Sequence, residues 1–276
     1  MQKPFLKWAG GKHKLVPHIA PLLQGQRLIE PFAGSCALYL GTDFSQGLLN
    51  DINGDLIALY KRLQKPDSDD FIDSVQNHHF RQEDNTEDAF KDKRTRFNAL
   101  TIGEEERAAL FVYLNRHAFN GLCRYNASGG FNVPYGRYKS PGFPGDAMRA
   151  FAKRVQEDDV TFTSTGFEET MNKAHPGDVI YADPPYFPLS VTSAFTSYSK
   201  ESFGLTQQEQ LARAAQQAAL NGTRVVVSNH ATDMCLSLYQ DHGADVSRRL
   251  DVQRSVSAKG DKRTKAPEVL AVFEPK

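Results

Sequence analysis

Arg27-Leu28-Ile29-Glu30-Pro31-Phe32-Ala33-Gly34-Ser35, read onward to Asn50-Asp51, decides the fold. Arg27 to Ile29 is a short apolar strand that runs into a glycine-containing turn. Ala37 to Leu40 starts a helix, and Gly47 to Asn50 is a second strand with Asp51 at its end. Strand, glycine turn, helix and acid-terminated strand is the order of a nucleotide-binding βαβ unit. A carboxylate at that strand end can accept hydrogen bonds from both hydroxyls of a ribose. Dehydrogenases share this signal, so it points to a fold class and a ribose-bearing ligand but not to a reaction.

Downstream of this unit, from about Gly54 to Gly142, the chain becomes charged and helical. Ser68 is placed to cap a helix entering Asp69-Asp70-Phe71-Ile72. Leu110, Tyr113, Leu114 and His117 fall at i, i+3, i+4 and i+7, one apolar helix face that stops at Asn120-Gly121. The alternating aromatics and turn residues of 125–132 predict a β-hairpin. After Pro144 the α/β rhythm returns. Asp178 to Ala182 is a buried strand leading into Asp183-Pro184-Pro185-Tyr186. Thr206-Gln207-Gln208-Glu209 predicts a capping box ahead of a helix from Gln210 to Leu220, with Gly222 past its end. Arg224 to Ser228 is a β-branched core strand. Two strand-like runs, Asp245 to Val256 and Glu268 to Phe273, flank a basic loop from Lys259 to Lys265. The expected domains are therefore 1–53 with 145–276, an α/β catalytic domain, and an insertion, 54–144, able to read a substrate.

The 33 basic and 33 acidic residues give a net charge of zero, which by itself argues weakly against a polyanion partner. Their distribution points the other way. Arg116, Arg124, Arg137 and Lys139 span a stretch with no acid, and 248–265 holds seven bases against Asp251 and Asp261. Isolated charge runs are usually solvated loops; two on a neutral chain keep a nucleic-acid partner open. Cys36, Cys123 and Cys235 have no metal-ligand spacing, so no metal site and no disulfide framework are expected. With neither a signal core nor a membrane-length apolar run, a cytoplasmic location is expected.

The chemistry concentrates at Asp183-Pro184-Pro185-Tyr186. An amino group on a nucleobase is a poor nucleophile because its lone pair is delocalised into the ring. A site that alkylates it should accept hydrogen bonds from both N–H groups and draw the nitrogen toward tetrahedral geometry. The Asp183 carboxylate and the Pro184 carbonyl are suitable acceptors, and two prolines hold them rigid. Acceptors fixed where positive charge develops are electrostatic preorganisation. Tyr186 can stack on a base rotated out of a duplex. A lone Asp-Pro-Pro would be a strand-ending turn; here an apolar strand precedes it and an aromatic follows at once. Phe5-Leu6-Lys7-Trp8-Ala9-Gly10-Gly11-Lys12 has the look of a phosphate loop but lacks the P-loop spacing, with no Ser or Thr after Lys12.

Taken in order, the segments 5–12, 30–35, 50–55, 113–116, 120–126, 131–139, 183–186 and Arg254-Ser255-Val256-Ser257 resemble a Dam-type DNA adenine-N6 methyltransferase, a class I S-adenosyl-L-methionine-dependent family. The resemblance runs from Phe5 to about Phe273. It implies a Rossmann-like class I methyltransferase sheet of seven strands, mostly parallel with one antiparallel strand. It also implies an inserted helical target-recognition domain carrying a β-hairpin. By matching positions, Trp8, Lys12, Asp51 and Asp183 would contact S-adenosyl-L-methionine, with Phe32 and Phe167 lining its pocket. Asp183, Pro184 and Tyr186 would be catalytic. The partner implied is double-stranded DNA, nucleoid-associated, with the enzyme acting as a monomer.

Lys7, Phe119, Asn120, Leu122, Arg124 and Tyr138 match the family's readers of GATC. Arg124 has the geometry to grip guanine O6 and N7, and Leu122 to press a thymine methyl. Phe119 can wedge into the vacated stack; hairpin packing is the alternative for Phe119 and Leu122. Arg116, Asn126, Asn132, Arg137 and Lys139 are better cast as phosphate contacts. Two positions depart from the pattern: Cys36 stands where a second glycine is usual, and Phe119 where tyrosine is common. The rival readings are an N6-adenine or N4-cytosine enzyme with another target sequence, a DNA-binding regulator without catalysis, and a protein or RNA methyltransferase.

Overall fold

The computed structural model describes residues 1–187, 203–253 and 265–276, with backbone alone at 251–253 and 265–266. The Arg254–Ser257 motif and most of the basic 259–265 loop lie outside the described residues. In chain order the helices are α1 (Val16–Ile19), α2 (Ala37–Gly41), α3 (Gly54–Leu63), α4 (Ser68–His79), α5 (Glu87–Phe97), α6 (Glu104–His117), α7 (Gly145–Glu157), α8 (Phe167–Met171), α9 (Leu205–Leu220) and α10 (Asp233–Asp241). The strands are β1 (Leu28–Glu30), β2 (Gln46–Asn50), β3 (Asp159–Thr163), β4 (Val179–Ala182), β5 (Arg224–His230), β6 (Asp245–Gln253) and β7 (Lys265–Phe273).

They form a seven-stranded sheet in the order β3-β2-β1-β4-β5-β7-β6. β1 pairs in parallel with β2 and with β4, and β4 in parallel with β5. β7 runs against both of its neighbours, pairing antiparallel with β5 and β6. This is the mostly parallel sheet with one reversed strand that the resemblance implies. β1 and β4 are buried along their whole length, as interior parallel strands covered on both faces must be.

The chain divides into two compact units, one of 1–16, 34–43 and 53–164, the other of 17–33, 44–52 and 165–276. The second unit is strand-bearing. Its core sets Ile29, Leu48, Ile180, Val225, Val227, Val269 and Ala271 against Leu211, Ala215 and Ala219 of α9. Spacing of four places these α9 residues on one face, and their small size lets the helix lie close to the sheet. α9 begins at Leu205, not at Gln210, and Thr206 lies inside it. The reciprocal bond comes from Gln207 and not from Glu209: its side-chain oxygen accepts from the N–H of Gly204, the residue in the N-cap position, at 2.9 Å.

The first unit is helical and aromatic. Phe71, Phe90, Phe97, Phe111, Tyr113, Phe131 and Phe151 are fully buried in it. α6 is buried on every side from Ala108 to Asn115, so the single apolar face read from its sequence is only part of its contact surface. Its last residue, His117, stacks on Tyr113 at 3.9 Å, and burial pushes its imidazole down to about 4. Ser68 does not cap α4. It is the first helical residue, buried, and its hydroxyl accepts from Gln156 Nε2 at 3.0 Å. The expected hairpin is an antiparallel excursion with isolated bridges at Tyr125–Phe131 and Ala118–Tyr135, without continuous strands. Asn126 replaces ladder bonds with local ones, its side-chain oxygen accepting from Ser128 N, Ser128 Oγ and Gly130 N.

Candidate active site

In the strand-bearing unit, Asn50 gathers three distant segments. Its amide donates to the Pro31 carbonyl at 2.9 Å and the Thr165 carbonyl at 3.0 Å, and its oxygen accepts from Thr165 N at 2.9 Å. Its own carbonyl accepts from Ala33 N at 2.7 Å. These bonds tie the end of β2, and so Asp51, to the turn after β1 and to the start of α8. Phe32 and Phe167 meet as a stacked pair, centroids 5.5 Å apart, and Phe203 closes on both at 5.6 Å. Neither Asn50 as a fastener nor Phe203 as a third ring was legible in the sequence, because their partners lie far along the chain.

Asp183 follows the last residue of β4, and the turn it opens is clamped to the end of β5. Ser228 Oγ donates to Asp183 Oδ1 at 2.8 Å. Asn229 Oδ1 accepts from Phe187 N at 3.0 Å. His230 Nδ1 donates to the Phe187 carbonyl at 2.7 Å, which fixes the proton on that nitrogen, since a carbonyl can only accept. From α9, Gln208 Nε2 donates to the Pro185 carbonyl at 2.7 Å. Pro184 is buried, whereas Asp183 and Tyr186 keep partial exposure.

The Tyr186 hydroxyl donates to Glu268 Oε2 at 3.0 Å, and its ring meets His230 edge-on at 4.8 Å. Burial pushes its phenol far above the ordinary value. The charges of Asp183 and Glu268 push the same way, while a hydrogen bond with Ser228 opposes them. Tyr186 is therefore a neutral ring with its hydroxyl engaged at one edge. Ser228, Asn229, Gln208 and Glu268 were all missed by sequence reasoning. The only trace was the apolar run before Ser228, which marked a strand and not the polar residues at its end.

In the helical unit, Trp8 to Gly11 closes a tight turn, Gly11 N donating to the Trp8 carbonyl at 3.2 Å with Gly10 at φ 73°. Lys12 is buried and its ammonium donates to the Gly10 carbonyl at 3.0 Å. Gly34 sits against the Trp8 indole; a Cβ there would stand 2.6 Å from Nε1. Cys36 adopts φ 56°, the left-handed conformation that a glycine enters without strain. Its side chain is wholly buried.

The structure brings Lys7, Arg116, Asn120 and Tyr138 together. Lys7 N donates to Asn115 Oδ1 at 2.9 Å, and Asn115 Nδ2 returns a bond to the Lys7 carbonyl at 2.7 Å. The Lys7 ammonium donates to the Arg116 carbonyl at 3.3 Å and lies 4.1 Å from the Tyr138 ring centre. Burial first, and the Arg116 charge second, hold its pKa below the usual lysine value. Tyr138 Oη accepts from Asn120 N at 2.8 Å. Arg124 Nε donates to Asn132 Oδ1 at 2.8 Å, which orients the guanidinium across the excursion. Phe119 is about half exposed, while Leu122 is partly covered. Arg137 stands apart, paired with Glu87 at 3.2 Å, and Lys139 is exposed.

Gly121 has φ 63°, and a Cβ on it would overlap the Lys7 side chain. Gly121→Ala is therefore expected to cost about 2 kcal/mol of stability, from left-handed strain plus overpacking. Thermal unfolding checks this; an unchanged melting temperature would show that Lys7 gives way freely.

Among the described residues no group of three His, Cys, Asp or Glu is arranged to hold a metal ion, and no helix is long and apolar enough to cross a membrane.

A parallel sheet with reversed β7, carrying Asp-Pro-Pro-Tyr after β4 and an acid after β2, defines a Rossmann-like class I methyltransferase. The model of the D12 class N6 adenine-specific DNA methyltransferases matches residues 8–256. The chain is 42 % identical over 274 residues to the DNA adenine methylase of Salmonella typhi, covering 99 % of this chain and 96 % of that one. It is 43 % identical over 275 residues to the DNA adenine methylase of Serratia marcescens, covering 98 % of each. Among solved structures, the rRNA methyltransferase aviRa from Streptomyces viridochromogenes aligns at TM-score 0.41 and 12 % identity, over 99 % of this chain and 91 % of that one. The chain belongs to the D12 class family and is an adenine-specific DNA methyltransferase.

Proposed function

We propose that this protein transfers a methyl group from S-adenosyl-L-methionine to N6 of an adenine flipped out of duplex DNA, within GATC, acting as a monomer. The observation that carries the reading is the clamped Asp183–Tyr186 turn, with Asp183 aligned by Ser228 and Tyr186 anchored at its hydroxyl edge. The cofactor fits what the strand-bearing unit presents: the Asp51 carboxylate suits a ribose diol, and the stacked Phe32 and Phe167 suit an adenine. Trp8 and Lys12 are assigned to the cofactor by the family motif at 5–12 alone. The bound cofactor supplies an electrophilic methyl on a sulfonium.

The protein's own part begins with the target amino group. The Asp183 carboxylate and the Pro184 carbonyl accept its two hydrogens and concentrate the lone pair on nitrogen. Tyr186, neutral and held at its hydroxyl, stacks on the extruded ring. As the N–C bond forms, the amino nitrogen gains positive charge, and Asp183 takes its proton. In this reading residues 1–53 and 145–276 carry catalysis and residues 54–144 read DNA. Arg124 and Leu122 contact base edges, and Phe119 fills the vacated stack. Lys7, Asn120 and Tyr138 contact the target site as a connected group, while Arg116, Asn126, Asn132, Arg137 and Lys139 follow phosphates.

Labelled methyl transfer to unmethylated duplexes with and without GATC tests this. Equal labelling of both would sink the specificity. Arg124→Ala should relax discrimination at guanine by about 1–3 kcal/mol. An equal loss on every sequence would make Arg124 a phosphate contact instead.

A further inference from the structure

The end of β5 holds a buried hydroxyl that the mechanism above does not use for contact with substrate. Ser228 is fully buried, and its Oγ lies 2.8 Å from Asp183 Oδ1 and 2.9 Å from the Tyr181 hydroxyl. Tyr181 is itself buried and stands two residues before Asp183, so the strand's two-residue period sends both side chains to one side of β4. The register pairs Tyr181 with Val226 and Ala182 with Val227, which brings Ser228 level with Asp183 on the adjoining parallel strand.

The direction of this chain follows from counting protons. A carboxylate has none to donate, so the single Ser228 hydrogen goes to Asp183. Ser228 Oγ is then the acceptor of the Tyr181 hydrogen. Both hydroxyls therefore point toward Asp183, and hydrogen bonds in such a series strengthen one another. The arrangement restrains rotation of the carboxylate. The hydroxyl of Tyr186, beside it, donates to Glu268 Oε2 at 3.0 Å.

We infer that Ser228 is a positioning residue for methyl transfer, orienting the Asp183 carboxylate toward the target amino group, with Tyr181 holding the Ser228 hydroxyl in place. The inference rests on the catalytic reading of Asp183. Neither residue touches DNA or cofactor in this role, so their loss should appear in the chemical step and not in binding.

Single-turnover methyl transfer to a GATC duplex, alongside cofactor affinity, DNA affinity and thermal unfolding, provides the test. Ser228→Ala is expected to slow the chemical step by roughly 10- to 100-fold, the usual scale for a misplaced reacting group, with both affinities held within about twofold. Ser228→Thr, which keeps the hydroxyl, should recover most of the rate. Tyr181→Phe should slow the step less, and should add nothing in the Ser228→Ala background. Parental rate in Ser228→Ala would overturn the inference, as would loss of rate in Ser228→Ala and Ser228→Thr alike, tracking only lowered thermal stability. Asp183→Ala run in parallel separates the two readings. If it retains turnover, the catalytic reading fails; if it is inactive while Ser228→Ala is fully active, only the positioning role fails.

Discussion

Asp183→Ala is expected to lower methyl transfer by at least about 10³-fold, on the order of 4 kcal/mol of transition-state stabilisation, while DNA binding persists. The size follows from how Asp183 is held. Ser228 fixes one carboxylate oxygen, Pro184 fixes the backbone beyond it, and the turn is bonded to β5 and α9 at three further points. A group so restrained reorganises little as charge develops, so its removal takes away a preorganised interaction. Water entering the gap cannot replace it at fixed geometry. The residues that carry DNA contacts in the proposed reading, Lys7 and those within 116–139, belong to the helical unit, whereas Asp183 belongs to the strand-bearing one. Incorporation of labelled methyl groups gives the rate, and a mobility shift gives the affinity. Turnover within tenfold of the parent protein would remove Asp183 from the chemistry.

Asp55→Ala is expected to destabilise the helical unit by about 3 kcal/mol, at the low end for breaking a buried ion pair because this pair keeps some exposure. Asp55 accepts from Arg107 Nε at 2.5 Å, from the second guanidinium nitrogen at 3.1 Å and from the Tyr125 hydroxyl at 2.7 Å. Arg107 in turn donates to the Phe97 carbonyl at 2.7 Å and lies over the Phe97 ring. One carboxylate thus joins α3, α6, the end of α5 and the excursion carrying Arg124. Without it, the guanidinium keeps the Phe97 carbonyl but loses its counter-ion, and the Tyr125 hydroxyl is left with a long bond to Asn53 Oδ1 at 3.5 Å. A half-buried charge without its partner costs more than the pair contributed. A fall in melting temperature of roughly 5–10 °C is expected, with faster proteolysis near residues 125–131. A fall under about 2 °C would show that the four segments are held by packing alone.

Several elements were legible in sequence to within a residue or two. β1, β2, β4 and β5 announce themselves as apolar runs bounded by turn residues, and the helix ending before Gly222 as a periodic run with its stop signal. Other readings failed for identifiable reasons. Ser68 has the side chain of a cap, but Gln156 engages its hydroxyl from α7 and the helix starts at it. α9 starts early because Gly204 supplies the extended residue a helix start needs, while Gln208, read as part of a cap, is buried against Pro185. The hairpin shrank to isolated bridges because Asn126, Asn98 and Arg124 satisfy its backbone with side chains.

The sequence by itself determined the sheet-forming runs, the order of the glycine turn and its acid, and the identity of the Asp183–Tyr186 motif. Each is encoded within a few adjacent residues, where periodicity and turn chemistry act. Tertiary structure alone decided which way Asp183 faces and what holds it there, through Ser228 45 positions away, and joined Asp51, Phe32 and Phe167 through Asn50. It also showed Cys36 in a left-handed turn with its side chain wholly buried. These are hydrogen bonds and burials between segments distant in the chain, and no local pattern carries their geometry.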